Sequence, residues 1–296
     1  MFHGTMTALV TPFRDGAIDE DAFRAHLDRQ IAAGVDGVVP AGTTGEAATL
    51  SHDEHMHLTR ITVEHARGRV PVIAGAGSNS TAESIELTQA AKDAGADAAL
   101  LISPYYNKPS QEGIYQHYKA VADAVHLPIV VYNVPGRTAS NMLPETVGRL
   151  SHIANVVGIK DATADMAQLG RTMNACGERI EFYSGDDATV MPFMASGGAG
   201  VISVVSNIAP QSMTALTEAM RGGDLEAARA QHFELLPLSD SMFIQSNPIP
   251  VKAACAMLGW MGWELRLPLT PLTQAECDHL AAALKAFGLS PEHAYP

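Results

Sequence analysis

Short apolar runs alternate with amphipathic stretches through the first 222 residues of the chain. The apolar runs predict strands over 6–10, 37–40, 70–74, 98–103, 129–133, 156–160, 181–184 and 200–205. Between them, the pattern predicts helices over 19–33, 51–67, 81–94, 110–125, 144–151, 165–176, 187–196 and 210–221. Ser51-x-x-Glu54 and Ser80-x-x-Glu83 have the form of capping boxes, and Pro144 and Pro210 suit first-turn positions, where a missing N–H costs nothing. The strands are unbroken Val, Ile, Leu and Ala runs rather than clean alternations. Both faces must then be buried, as in a parallel sheet covered by helices. Eight β-α units in series predict an α/β fold closed into a (β/α)8 TIM barrel, with a doubly wound open sheet as the alternative. Beyond residue 222 only helical patterns remain, over 224–245, 250–259 and 273–287. The expected organisation is a catalytic barrel domain over 1–222 and a C-terminal α-helical domain over 223–296.

A length of 296 residues suits one barrel with an appendage. At 47% hydrophobic and 17% charged residues, the composition excludes a disordered chain. The charge balance, 19 − 32 = −13, argues against a nucleic-acid partner, because phosphate neutralisation needs clustered Lys and Arg. Cys176, Cys255 and Cys277 are widely spaced with no C-x-x-C pair, which predicts a reducing compartment and neither disulfides nor a thiolate metal site. The first residues lack the basic and apolar regions of a signal peptide, and no apolar stretch approaches about 18 residues. The expectation is a cytoplasmic protein without a membrane partner.

In a barrel, chemistry gathers at the C-terminal ends of the strands. The second strand runs into Gly42-Thr43-Thr44-Gly45-Glu46, which either offers N–H groups and hydroxyls to a small carboxylate or is an ordinary loop capping its helix. After the fourth comes Tyr105-Tyr106-Asn107, flanked by prolines, a pattern that also suits interface packing. Tyr132 lies inside the fifth apolar strand, as a satisfied core residue or a proton relay. Arg137, just beyond it, is either a carboxylate clamp or a solvated loop residue. Lys160 closes the sixth strand, with Val156 and Gly158 on its parity. An amine held there among apolar groups loses charge and gains nucleophilicity, the requirement for a Schiff base. The alternative is a lysine that reaches the mouth or pairs with Asp161. The glycine-rich ends of the last two strands bring no Lys or Arg, so phosphate is not expected. His52, His55 and His57 share a helix, but no carboxylates at the strand ends complete a metal shell, and no metal is expected.

Taken in order, residues 42–46, 105–107, 132–138 and 158–163 resemble the 4-hydroxy-tetrahydrodipicolinate synthase (dihydrodipicolinate synthase) family of class I, pyruvate-dependent aldolases and lyases. The likeness spans nearly the whole chain, including Asn247-Pro248-Ile249-Pro250-Val251-Lys252 and Leu267-Pro268-Leu269-Thr270-Pro271. The resemblance implies that Lys160 forms an imine with pyruvate and that Tyr132, Thr43 and Tyr106 form a hydroxyl relay. Tyr106 would come from a neighbouring subunit of a homotetramer built as a dimer of dimers. It further implies that Thr44 holds the pyruvate carboxylate, that the Ile202 carbonyl approaches pyruvate and that Gly185 lines the substrate site. Arg137 would read the carboxylate of L-aspartate 4-semialdehyde. No cofactor beyond the covalent imine is implied.

The same resemblance implies an L-lysine inhibitory pocket at His52, His55, Asn79, Glu83 and Tyr105. Ala47 departs from the serine common in sensitive bacterial members, so one hydrogen bond to lysine is expected to be missing. Within the superfamily, the alternative is an aldolase for N-acetylneuraminate or a 2-keto-3-deoxy sugar acid. It would keep Lys160 and Tyr132 but usually carries an apolar residue at the position of Arg137. From another class, a non-catalytic keto-acid-binding barrel would be expected to have lost Lys160 or a relay hydroxyl; neither is lost.

Overall fold

The computed structural model describes residues 2–293. Eight strands form one parallel sheet: β1 (Gly4–Ala8), β2 (Gly37–Val39), β3 (Ile73–Gly75), β4 (Ala98–Ile102), β5 (Ile129–Asn133), β6 (Val156–Asp161), β7 (Glu181–Ser184) and β8 (Gly200–Ser203). The spatial order is β2-β1-β8-β7-β6-β5-β4-β3, and a parallel bridge between Val38 and Val72 joins the two ends into a barrel. The open doubly wound sheet is thereby excluded. Helices α1 (Glu20–Ala32), α2 (His52–Ala66), α3 (Thr81–Asp93), α4 (Gln111–Ala124), α5 (Pro144–Leu150), α6 (Met166–Cys176), α7 (Val190–Ala195) and α8 (Pro210–Gly222) follow the strands in turn. Then come α9 (Leu225–Ser241), α10 (Ile249–Met257) and α11 (Gln274–Ala286). One apolar cluster joins these last helices to Val10, Val201, Met213 and Leu216, so the C-terminal helices and the barrel share buried surface.

Several strand boundaries differ from the apolar pattern, each for a hydrogen-bonding reason. β1 starts two residues early because the Asp36 carboxylate takes the Thr5 N–H at 2.9 Å. It ends at Ala8 although Leu9 and Val10 are apolar, since the Val10 N–H turns to the Asn207 side chain at 3.2 Å. β3 begins only at Ile73, beyond Pro71, which has no N–H to give a ladder. The apolar pattern did not reveal a two-residue hairpin, Phe13–Arg14 with Ala17–Ile18, or a helical turn over Pro135–Thr138.

The capping reading divides. Ser51 and Glu54 make the full reciprocal box at the start of α2. At α3 only half forms: Ser80 Oγ accepts from Glu83 N, while the Glu83 carboxylate turns to Ser78 and His52. The second full box lies instead at Thr273 and Glu276, opening α11. Pro144 and Pro210 sit in the first turns of α5 and α8 as expected.

β6 requires one correction. Val156 does not share the face of Lys160, because the β5–β6 register skips a residue: Ile129 pairs with Val156, but Val130 pairs with Gly158. Val156 faces the outer helical layer, whereas Val157 packs against the barrel interior. Beyond the bulge, Lys160 stands beside Tyr132 on one neighbour and Tyr183 on the other. Gly158 makes room for that arrangement, since a Cβ there would lie 2.8 Å from Cε2 of the buried Tyr183 ring. The Tyr183 hydroxyl is tied to the Phe2 carbonyl at 3.1 Å, so the ring cannot easily yield. Gly158→Ala is expected to destabilise the fold by about 1–3 kcal/mol, as overpacking of a filled core does. Urea unfolding at neutral pH measures it.

Candidate active site

A cavity of about 710 Å³ opens at the C-terminal end of the barrel. Thr43, Thr44, Tyr132, Arg137, Lys160 and Gly185 all line it. Lys160 is 6% exposed, and its Nζ lies 4.4 Å from the centroid of the Tyr132 ring. Burial lowers its amine to a pKa of about 8, helped by the positive Arg137 and opposed by the buried Asp187 carboxylate. About a tenth of such amines are neutral at pH 7, against about three in ten thousand at an ordinary lysine. Desolvation pushes the Tyr132 hydroxyl the other way, to about 12, while Arg137 and the Thr43 hydroxyl ease it back. A phenol so placed is neutral and can both give and take a proton. Lys160 makes no ion pair with Asp161, whose carboxylate accepts from the N–H and hydroxyl of Thr163 at 2.8 and 2.6 Å.

The backbone of the 42–46 loop turns back on itself. Gly45 N donates to the Gly42 carbonyl and Glu46 N to the Thr43 carbonyl, both at 3.1 Å. Thr44 is buried, and its Oγ1 accepts from Asn247 Nδ2 at 3.0 Å. Arg137, in the turn after β5, reaches the same residue, donating from Nη2 to the Asn247 carbonyl at 3.1 Å. Ile202 is buried in the barrel interior with Met6 and Tyr132 and is not among the lining residues.

Asn247 was not singled out from the sequence as a site residue. It is 6% exposed, lines the cavity and keeps its buried Oδ1 without a hydrogen-bond partner among the described residues. Only its place in the Asn247–Lys252 segment hinted at a role. Asp187 was also missed. Its Oδ2 accepts from Val204 N and Val205 N at 2.9 and 3.1 Å, fixing the backbone just beyond Ile202.

The same cavity continues past Ala47 to His52, His55, Ser78, Glu83 and Tyr105. His52 Nε2 meets Glu83 at 2.6 Å, and His55 Nε2 donates to the Gly75 carbonyl at 2.6 Å. His57 points elsewhere, to Glu20. The Glu83 carboxyl is held below its ordinary pKa chiefly by the Ser78 hydroxyl, with His52 assisting. Asn79 does not line the cavity; its Nδ2 donates to the Tyr105 carbonyl at 3.1 Å and so holds that loop. Tyr106 stands apart from the other relay candidates. It is 89% exposed, with left-handed backbone at φ 71°, and lies outside the cavity of its own chain.

Gly185 determines how much room Lys160 has. A Cβ at this position would come within 3.0 Å of Lys160 Cε and 2.7 Å of Ala162 Cβ. Gly185→Ala is expected to displace the amine and slow its reaction with keto acids about a hundredfold, as a misplacement near 1 Å does. Single-turnover reaction with pyruvate, read by mass spectrometry, checks it.

The Dihydrodipicolinate synthetase family profile matches residues 1–287. A 4-hydroxy-tetrahydrodipicolinate synthase of Pelobacter propionicus is 54% identical over 289 residues, covering 98% of this chain and all of the relative. Among solved structures, the chloride-inhibited dihydrodipicolinate synthase of Acinetobacter baumannii, complexed with pyruvate, superposes with a TM-score of 0.96 at 45% identity, over 98% of this chain and 100% of that one. The Cyanidioschyzon merolae enzyme with lysine bound gives 0.94 at 39% identity, over 97% and 99%. With a full-length profile match and relatives above half identity, the chain belongs to the dihydrodipicolinate synthetase family of enzymes.

Proposed function

We propose that this enzyme condenses pyruvate with L-aspartate 4-semialdehyde to give 4-hydroxy-tetrahydrodipicolinate, the first committed step of lysine and diaminopimelate synthesis. The observation that carries the reading is a buried amine of lowered pKa against a phenol at the mouth of the barrel. Neutral Lys160 adds to the pyruvate carbonyl, the resulting hydroxyl takes up one proton through the Tyr132 relay, and loss of one water leaves a cationic imine. That cation withdraws electrons, so a methyl proton leaves and an enamine forms. The enamine carbon bonds to the aldehyde carbon of the second substrate, whose oxygen takes a proton. The substrate's own amine then attacks the imine carbon, expels Lys160 and closes the ring.

Tyr132 and Thr43 move the protons in this scheme, because a linked pair of neutral hydroxyls avoids stranding a charge in a dry site. Thr44 and its N–H receive the pyruvate carboxylate, with the Ile202 carbonyl nearby. Arg137 receives the carboxylate of the semialdehyde, and its fork suits that task. An arginine here also favours this substrate over a polyol-bearing sugar acid, the substrate of the sibling aldolases. No metal or cofactor takes part in any step. A cytoplasmic setting fits three buried, unpaired thiols.

Borohydride added with pyruvate is expected to label Lys160 and no other lysine, and Lys160→Ala is expected to abolish the label. The rate at limiting pyruvate should rise with pH through about 8 and then level off, since the neutral amine is the reactive form. Prior dialysis against a chelator should leave that rate unchanged. Labelling elsewhere, or a rise only near the ordinary lysine pKa, defeats the reading.

Two finer assignments concern partners. Tyr106 serves the site of a neighbouring subunit, which accounts for its exposure in a single chain, and the assembly is a homotetramer. L-lysine inhibits at the His52–His55–Glu83 end of the cavity, weakened by the missing hydroxyl at Ala47. Mixing inactive Tyr106→Phe and Lys160→Ala subunits should regenerate about a quarter of the sites. Ala47→Ser should lower the inhibitory lysine concentration about three- to tenfold, one hydrogen bond's worth. Failure of mixed subunits to recover activity removes the first assignment. Full activity at millimolar lysine in both forms removes the second.

A further inference from the structure

A second lysine is buried on the other side of the catalytic loop. Lys252, 2% exposed, lies in α10 among apolar residues. Its ammonium pairs with the Glu46 carboxylate, and the two side chains are 3% and 0% exposed. The other Glu46 oxygen accepts the Arg266 backbone N–H at 3.1 Å. The Phe13 ring covers both cations, at 4.3 Å from Lys252 Nζ and 4.2 Å from the Arg266 guanidinium carbon. A pair this dry is a poor source of stability, because removing two charges from water offsets most of their attraction. Its value lies in what it holds in place.

Glu46 ends the Gly42-Thr43-Thr44-Gly45-Glu46 turn in the left-handed region, at φ 55°. A side chain stays in that conformation only when its surroundings over-determine it. Here they do. Glu46 N donates to the Thr43 carbonyl, and its own carbonyl accepts from Thr49 N and Thr49 Oγ1 at 3.0 and 3.1 Å. Its carboxylate is anchored as described. The segment leading into α10 also reaches the loop directly, through the Asn247 amide on Thr44 Oγ1. Both contacts thus come from one short stretch of chain, more than 200 residues further along the sequence.

We propose that Glu46 and Lys252 are positioning residues for the reaction: their buried pair locks the catalytic turn onto α10, so that Thr43 and Thr44 keep their places beside Tyr132 and Lys160. The inference rests on the relay and carboxylate roles proposed above. Imine formation draws on Lys160 and on one proton delivered through the relay, and the trapped imine accumulates under borohydride even when its formation is slowed. Removal of the methyl proton, by contrast, needs the relay in register at every turnover. Disturbing the pair therefore slows the second event more than the first.

The test compares the parent with the double variant Glu46→Gln/Lys252→Met, which leaves no unpaired buried charge, and with Glu46→Asp, which keeps both charges but shortens the strut by one methylene. Five quantities are followed: thermal midpoint, borohydride labelling of Lys160 with pyruvate, exchange of pyruvate methyl hydrogens into D2O, kcat and KM for pyruvate. We expect folded variants with labelling retained, and exchange and kcat lowered together about ten- to a hundredfold. KM for pyruvate should rise as well, because Thr44 receives its carboxylate. Parent-like exchange and kcat in either folded variant overturn the proposal, because a merely structural pair would leave them unmoved. Absence of labelling in the parent would instead strike the imine reading itself.

Discussion

Removal of the Lys160 amine from water is the constraint on which the rest of the site depends. Its charged form loses hydration at the top of an apolar barrel and regains only the face of the Tyr132 ring and the field of Asp187. A fall in pKa from 10.5 to about 8 corresponds to about 3 kcal/mol against the charged form in the folded state. Because the folded pKa lies below the unfolded one, that cost is present in full below about pH 8. It fades as pH rises toward 10.5. The fold thus carries a local instability at neutral pH, and the same instability supplies a nucleophile.

The rest of the barrel accommodates that instability. Adjacent register on β5 and β6 sets the Tyr132 ring beside the amine, while Gly185 leaves space for its methylenes and Gly158 for the Tyr183 ring beneath. Two threonines on the outer face of β1 show how the surrounding layer stays fixed. Thr5 bonds Thr217 of α8 at 2.9 Å and Thr7 bonds Gln30 of α1 at 2.8 Å, so the first strand is held by both the first and the last barrel helix. Buried polar groups satisfied in this way cost little and confer a single arrangement.

The C-terminal helices belong to the same argument. Asn247, Lys252 and Arg266 all reach the 42–46 loop or its neighbours, and Arg266 also grips Glu54 through Nη1 at 2.8 Å. A loop rich in glycine and threonine has little stiffness of its own. Here it takes its shape from a region without a single barrel strand. Its neighbour, the Tyr105–Tyr106 loop, contributes one tyrosine to the cavity wall and sends the other outward, so one loop faces two directions.

Composition and periodicity alone determined that eight buried parallel strands alternate with helices, and that a lysine closing an apolar strand would be chemically unusual. Those features follow from local covalent order and from the price of burying charge, both readable along the chain. The same reasoning applied to Lys252, alone in the apolar segment Ile249–Met257, would have exposed the second buried ammonium. Other features were settled only by tertiary structure. The bulge that turns Val156 outward while Lys160 stays inward depends on pairing with β5, and the half-made capping box at Ser80 depends on His52 and Ser78 competing for Glu83. Likewise, no local pattern shows that Asn247 meets Thr44, because contacts across 203 residues arise from the path of the chain and from packing. Residue order set the chemical vocabulary; closure of the barrel and docking of the last helices decided which groups meet.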